Sequence, residues 1–206
     1  MSYKTLANPA VYEYEIKRSK FICYAFPISS SEDANEKYRE IRKKHSDATH
    51  NCYAYVCGVD ENTVKFSDDG EPSGTAGQPI LEVLKKKELK NSLLIVTRYF
   101  GGIKLGGGGL IGAYTESAAG GVAAAGVAVA ESCRLLELKF DYSRITVIDG
   151  FLSSRRVRVS DKIYDSDVVY YVAIPTSDVE GTVAEIIDIC MGKIDVEHKG
   201  EKYVFF

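Results

Sequence analysis

The densest glycine tract of the chain lies at 101–112, where seven of twelve residues are glycine. An apolar run at 93–97 precedes it and an alanine-rich segment at 113–125 follows it, so we expect a buried strand, a glycine loop and a helix. Amides at a helix N-terminus form a site for anions. Because Arg98 and Lys104 add positive charge, the loop is predicted to contact a ligand or partner. The alternative is that the glycines only let a helix pack closely on a sheet.

A polar loop at 67–79 places three carboxylates, Asp68, Asp69 and Glu71, within four residues. Carboxylates this close repel one another unless they meet a cation, a metal or backbone donors. His50 lies at the mouth of an earlier predicted strand, either as a site residue or as a hydrogen-bonded structural histidine. In an enzyme, the acids would hold a magnesium-like ion and His50 would serve as acid or base. A metal-assisted hydrolase or a phosphoryl-transfer enzyme is therefore the alternative to a binding protein.

Two known phosphate-binding motifs do not fit the glycine tract. Leu105 stands where a P-loop needs Ser or Thr after its lysine. Gly107, Gly109 and Gly112 match the dinucleotide fingerprint, but that fingerprint directly follows its strand and here a further segment intervenes. The histidines and cysteines at 45–57 lack the spacing of common zinc modules. We expect neither a dinucleotide nor any other cofactor or metal.

The composition is typical of a soluble globular protein, with 206 residues, 45% hydrophobic and 27% charged. No apolar run approaches the roughly 20 residues of a membrane helix, and the N-terminus lacks the apolar core of a signal peptide. We therefore expect a cytoplasmic protein without membrane contact, and five scattered cysteines agree with that. Residues 1–132 hold 16 basic and 16 acidic residues, whereas residues 133–206 hold 10 and 13. Charge alone does not predict binding to nucleic acid.

The apolar patterns predict two α+β domains, at 1–132 and 133–206. Strands in the first are expected at 11–16, 21–28, 52–56, 64–66 and 93–97, with helices at 32–45, 79–84 and 113–125. Strands in the second are expected at 135–140, 157–164, 168–174, 194–197 and 203–206, with helices at 143–152 and 179–190. The β-α-β-β-α-β order of the second domain predicts a ferredoxin-like fold.

Three segments, at 47–55, 67–77 and 97–106, resemble the IMPACT family, and in particular its bacterial YigZ branch. The resemblance is strong from about residue 20 to residue 126. The C-terminal unit is similar to the YigZ tail domain in pattern and length.

The resemblance implies an N-terminal fold like the second domain shared by a small-subunit ribosomal protein and ribonuclease PH, with a left-handed βαβ crossover. It also implies a tail similar to a domain of elongation factor G. Eukaryotic relatives act in translational control under amino-acid starvation, by binding a regulator of an initiation-factor kinase. We therefore expect a non-enzymatic protein that binds RNA, the ribosome or a translation-associated partner, with no catalytic residues.

We expect His50, the loop at 68–71 and the loop at 98–109 to lie on one face of the first domain. The predicted binding residues are His50, Asn51, Asp68, Asp69, Glu71, Ser73, Thr75, Arg98, Tyr99, Phe100, Gly101, Gly102, Lys104, Gly106, Gly108 and Gly109. The chain departs from the family at two positions, since Gly107 stands where Thr or Ala is usual and Gly112 where arginine is usual. The missing arginine removes a bidentate anion donor.

Overall fold

The computed structural model of the chain describes residues 2–59 and 63–205. They form two compact units, a head at 3–128 and a tail that begins at residue 129 and includes Ser2. The strands are β1 (Ser2–Leu6), β2 (Ala10–Ile16), β3 (Ser19–Pro27), β4 (His50–Cys57), β5 (Thr63–Ser67), β6 (Ser92–Tyr99), β7 (Val127–Phe140), β8 (Arg158–Tyr164), β9 (Val168–Pro175) and β10 (Ile194–Phe205). The helices are α1 (Ser31–Lys44), α2 (Gly77–Lys86), α3 (Gly107–Ala125), α4 (Ile145–Ser153) and α5 (Val179–Ile189), with a short 3-10 turn at Tyr142–Arg144.

The head is built on an antiparallel sheet in the order β2-β3-β6-β4-β5. β3 and β4 both run antiparallel to β6, so they are parallel to each other and α1 connects them. β5 and β6 flank β4 in the same way, and α2 connects them. The head therefore contains two split β-α-β crossovers, each with one strand between its parallel strands.

The two faces of the head sheet carry separate cores because side chains alternate along each strand. Cys52 and Ala54 of β4 pack in the core that holds Ile80 of α2 and Ala118 of α3. Their neighbours Tyr53 and Tyr55 pack instead with Ala34 and Ile41 of α1. Whether a residue of β4 or β6 has an even or an odd number, which we call its parity, thus decides whether its side chain packs against α2 and α3 or against α1.

The four tail strands β7, β8, β9 and β10 pair in the order β10-β7-β9-β8, which in chain order is 4-1-3-2. Its core combines Leu138, Tyr170 and Val172 of the sheet with Ile148 of α4 and Ile186 of α5. This is the ferredoxin-like arrangement, and the predicted α+β class is confirmed in both units.

The first tail strand is longer than predicted. Gly126 ends α3 with a φ of 70°, and β7 then runs without interruption from residue 127 to residue 140. The predicted domain boundary at 132/133 therefore falls inside a strand, and the units divide four residues earlier. The predicted last strand ended on Phe206, which lies outside the described residues. Within the described residues, no helix is both long enough and apolar enough to span a bilayer.

Candidate functional site

The sheet register brings His50 and Arg98 together at one end of the head sheet. The two residues are directly paired between β4 and β6. Arg98 has the parity of Leu94 and Val96, which face α2 and α3, and His50 has the parity of Cys52. Both side chains therefore lie on the α2/α3 side of the sheet.

The acidic loop folds back onto His50. Asp69 and Gly70 take positive φ angles of 43° and 90°, which turns the chain sharply after β5. His50 Nδ1–H donates to the Asp69 carbonyl oxygen at 2.8 Å, and the Asn51 amide donates to Asp69 Oδ2 at 2.7 Å. Because Nδ1 is engaged by the loop, the ring presents Nε2 toward Glu71, whose Oε2 lies 3.8 Å away.

Asp68 is committed to the N-terminus of α2. Its Oδ1 accepts from the amides of Ala76 and Gly77 at 3.1 and 2.8 Å, and its Oδ2 accepts from Gly74 at 2.9 Å. Backbone donors thus offset the charges of Asp68 and Asp69. In the described residues no group of three His, Cys, Asp or Glu side chains is arranged to hold a metal ion.

Glu71 lies in a buried network beneath this end of the sheet. Its side chain is 3% exposed, and its Oε1 accepts from Arg98 Nη1 at 2.6 Å and from Tyr114 Oη at 2.7 Å. Burial raises the pKa of the Tyr114 phenol, which therefore remains a proton donor. Burial also raises the pKa of the Cys52 thiol, whose Sγ lies 3.4 Å from Tyr114 Oη. Both groups serve the network as neutral side chains.

Arg98 is fixed from three sides but keeps unused hydrogen-bonding capacity. Its guanidinium carbon lies 5.4 Å from the ring centre of Phe21 and 5.5 Å from that of Phe100. The residue is only 6% exposed, and its Nε is buried without an acceptor among the described residues. An unsatisfied buried donor costs about 1–3 kcal/mol.

A cleft of about 390 Å³ opens above this network. Its lining combines the basic side chains with loop and helix residues: Thr49, His50, Glu71, Pro72, Arg98, Phe100, Lys104, Leu105, Gly106, Gly107 and Leu110. α3 begins here, and its first backbone bond joins the Leu110 amide to the Gly106 carbonyl. No side chain caps this helix. The amides of its first turn therefore supply positive charge at the cleft.

The predicted glycines have different roles. A Cβ on Gly101 would lie 2.0 Å from the Arg18 carbonyl oxygen, so Gly101 permits the β2–β3 turn to approach. Gly102 and Gly106 take φ angles of 86° and 77°, which shape the loop. Gly108 has neither a positive φ nor any neighbour within 4 Å of an added Cβ, so nothing in the described residues requires glycine there.

Gly109 packs against the loop below it, since an added Cβ would lie 3.1 Å from Leu105 Cβ. Neither Gly108 nor Gly109 lines the cleft, although both lie in the first turn of α3. Gly107, which was not among the predicted site residues, does line it.

Asn51 and Tyr99 lie away from the cleft, because their parity along β4 and β6 is that of the α1 face. Asn51 Oδ1 accepts from Thr97 Oγ1 at 2.8 Å, and its Nδ2 donates to the His45 carbonyl oxygen at 3.3 Å. Tyr99 Oη donates to Asp47 Oδ1 at 3.0 Å. The prediction that Tyr99 shares a face with His50 and Arg98 is wrong for that reason, and Asn51, which was also a predicted binding residue, does not line the cleft.

Ser73 and Thr75 lie on the acidic loop without lining the cleft. Thr75 Oγ1 donates to the Pro72 carbonyl oxygen at 2.6 Å, which closes a local turn, whereas Ser73 is exposed. The sequence analysis missed Thr49, Pro72, Leu105, Leu110 and Tyr114. The strand and loop boundaries place Thr49 beside His50, but no sequence signal marked Tyr114 as the partner of Glu71.

Together, the fold and the cleft define a two-unit α+β protein whose head carries a cleft suited to an anion. The Impact N-terminal domain matches residues 17–122, and a domain of unknown function (DUF1949) matches residues 138–193. The chain belongs to the IMPACT family.

Bacterial relatives match over nearly the full length. IMPACT family member YvyE of Bacillus subtilis is 38% identical over 95% of this chain and 90% of its own. IMPACT family member YigZ of Escherichia coli is 34% identical over 92% and 94%. A crystal structure described as that of a hypothetical protein is 31% identical, with a TM-score of 0.64 over 95% of this chain and 96% of that one.

Eukaryotic similarity is confined to part of the chain. The Protein IMPACT homolog of Dictyostelium discoideum is 36% identical over 95 residues, which are 44% of this chain and 27% of that protein.

Proposed function

We propose that this protein is a non-enzymatic, cytoplasmic binding protein associated with translation, and that its head binds RNA at the cleft beside α3. The observation that carries the proposal is the largely buried guanidinium of Arg98, which Glu71 and two aromatic rings hold in place in the lining of the cleft. A phosphate oxygen is the acceptor that a guanidinium binds most strongly. The association with translation rests on the resemblance to the eukaryotic branch of the family.

The rest of the cleft suits a nucleic acid strand. Lys104 is an exposed residue of the lining, and the start of α3 borders the same space through Gly106 and Gly107. Phe100 lines the cleft and remains 47% exposed, so its ring can stack on a base. Phosphate contacts combined with aromatic stacking are typical of proteins that bind single strands.

No comparable observation supports the alternative that the protein is a metal-assisted hydrolase. Asp68 and Asp69 use their carboxylates on backbone amides, and Glu71 uses Oε1 on Arg98 and Tyr114. A hard cation needs carboxylate oxygens that are free to coordinate it. The acidic loop therefore supports the shape of the cleft and the position of Arg98.

Titration of a short RNA at several salt concentrations tests the proposal. With so few phosphate contacts, log affinity should fall against log salt with a slope on the order of 2–4. Lys104→Ala should reduce that slope by about one. Lys86→Ala is the matched control, because Lys86 is an equally exposed lysine on α2 that does not line the cleft.

Two results would contradict the proposal. A steep slope that Lys104→Ala leaves unchanged would move the contact to another basic cluster: to 85–87 if Lys86→Ala reduces the slope, and to 42–44 if it does not. Absence of RNA binding at every salt concentration would favour a protein partner instead.

A further inference from the structure

We infer that the cleft receives the terminal phosphate monoester of an RNA strand, in preference to an internal phosphodiester. This inference rests on the RNA-binding function proposed above. It concerns which part of the strand enters the cleft.

The first argument is the variety of donors around one small space. The guanidinium of Arg98, the ammonium of Lys104 and the backbone of Gly106 and Gly107 at the start of α3 come from a strand, a loop and a helix, and all border the same cleft. A terminal phosphate carries a charge of about −1.5 to −2 and three acceptor oxygens. An internal diester carries a single charge and offers two free oxygens. The monoester therefore uses more of the donors present.

The second argument is the short extent of the positive charge. In the part of the chain that the structure describes, Arg98 and Lys104 are the only lysine or arginine residues that line the cleft, and Glu71 offsets one of their charges. Proteins that bind along a strand track its backbone with a positively charged groove. A single point of positive charge fits the end of a strand better than its path.

The third argument is the aromatic surface. Among the described residues, Phe100 is the only Phe, Tyr or Trp in the lining of the cleft, so it offers a stacking surface for one base. Because Arg98 packs against the ring of Phe100, a phosphate bound to Arg98 would place its own nucleotide next to that ring. One phosphate and one base are the features that a terminal nucleotide presents.

The test compares three RNAs of eight nucleotides and identical sequence, which carry a 5′-phosphate, a 3′-phosphate or hydroxyl groups at both ends. Fluorescence anisotropy with the wild-type protein should show at least tenfold tighter binding of one phosphorylated RNA than of the hydroxyl RNA. The 5′ and 3′ forms identify which end is recognised. The preference for the phosphorylated RNA should fall to less than threefold in Lys104→Ala, because Lys104 lines the cleft, and it should persist in Lys86→Ala, because Lys86 does not. Both lysines are exposed, so neither change should disturb the fold.

The outcomes separate the inference from the function on which it rests. Equal binding of all three RNAs, weakened by Lys104→Ala, would overturn the terminal-phosphate inference and leave RNA binding at the cleft intact. No binding of any of the three would overturn both. A preference for a phosphorylated end that Lys104→Ala does not change would also overturn the inference, because the terminal phosphate would then bind elsewhere.

Discussion

Glu71→Gln should change stability and anion affinity in opposite directions. Glu71 neutralises the buried Arg98 at 2.6 Å, and their side chains are only 3% and 7% exposed. Removing one partner of a buried ion pair costs about 3–5 kcal/mol. Glutamine retains an oxygen that accepts from Arg98 and Tyr114, so we expect a smaller loss of about 2–4 kcal/mol. That corresponds to a fall in melting temperature of about 2–4 °C for each kcal/mol.

The same substitution should strengthen phosphate binding, because it removes a negative charge from beneath the cleft. At a separation of roughly 6–8 Å and an effective dielectric constant of about 40–80, the repulsion between two unit charges is about 0.5–1.4 kcal/mol. Affinity for the RNA should therefore rise about two- to tenfold. In the wild type, Glu71 Oε2 lies 3.8 Å from His50 Nε2. The NH2 group of the new glutamine would face this nitrogen and could donate a hydrogen bond to it.

Urea unfolding and RNA anisotropy, measured on the same protein preparation, test both effects of Glu71→Gln. Glu116→Gln is the matched control, since Glu116 is exposed on α3 and its loss changes the net charge equally. The control should leave stability within about 0.5 kcal/mol of the wild type. If Glu71→Gln remains folded but binds RNA more weakly, the electrostatic reasoning is refuted and Glu71 contacts the ligand or holds Arg98 in its binding position.

Two further outcomes follow from single residues. Gly107→Ala should stabilise the fold by up to about 1 kcal/mol, because nothing crowds an added Cβ there, yet weaken RNA binding, because Gly107 lines the cleft. Gly108→Ala, in equally open space outside the lining, should stabilise the fold without weakening RNA binding. Burial lowers the pKa of His45, whose Nε2 lies 2.6 Å from Tyr24 Oη and whose Nδ1 lies 2.8 Å from Tyr99 Oη. The folded state thus favours neutral His45, so unfolding free energy should fall as pH drops below about 6.5, and His45→Gln should reduce that fall. A Gly107→Ala protein that binds normally, or an unchanged pH profile in His45→Gln, would contradict these expectations.

The sequence allowed the fold class to be predicted because its signals are local. Apolar alternation marked the strands, and the glycine tract marked the start of α3. The division between the units was harder to place, since Gly126 ends α3 and a single strand continues through residue 132. Nothing in residues 127–134 signals a boundary.

Part of the candidate site was also accessible from strand alternation. His50 and Asn51 are neighbours on β4, and Arg98 and Tyr99 are neighbours on β6, so only one member of each pair can face the cleft. Tyr99 was predicted to share a face with His50 and Arg98, and Asn51 was predicted to be a binding residue, but neither lines the cleft. The acidic loop could not be interpreted in the same way, because the partners of its carboxylates are set by the tertiary fold. Glu71 accepts hydrogen bonds from Arg98, which lies 27 positions away in the chain, and from Tyr114, which lies 43 positions away.

The burial of Arg98 lowers the stability of the fold, and this cost points to a functional cleft. A buried arginine needs a buried acid, and the pair is often no more stable than two well-packed apolar residues of similar volume. Here the arrangement also leaves Nε without an acceptor in the described part of the chain, which costs about 1–3 kcal/mol. Such exceptions to local consistency are expected at functional sites. Because Arg98 lines the cleft while Glu71 and two aromatic rings hold it in place, its charge is positioned before any ligand arrives, and binding requires little further ordering of that side chain.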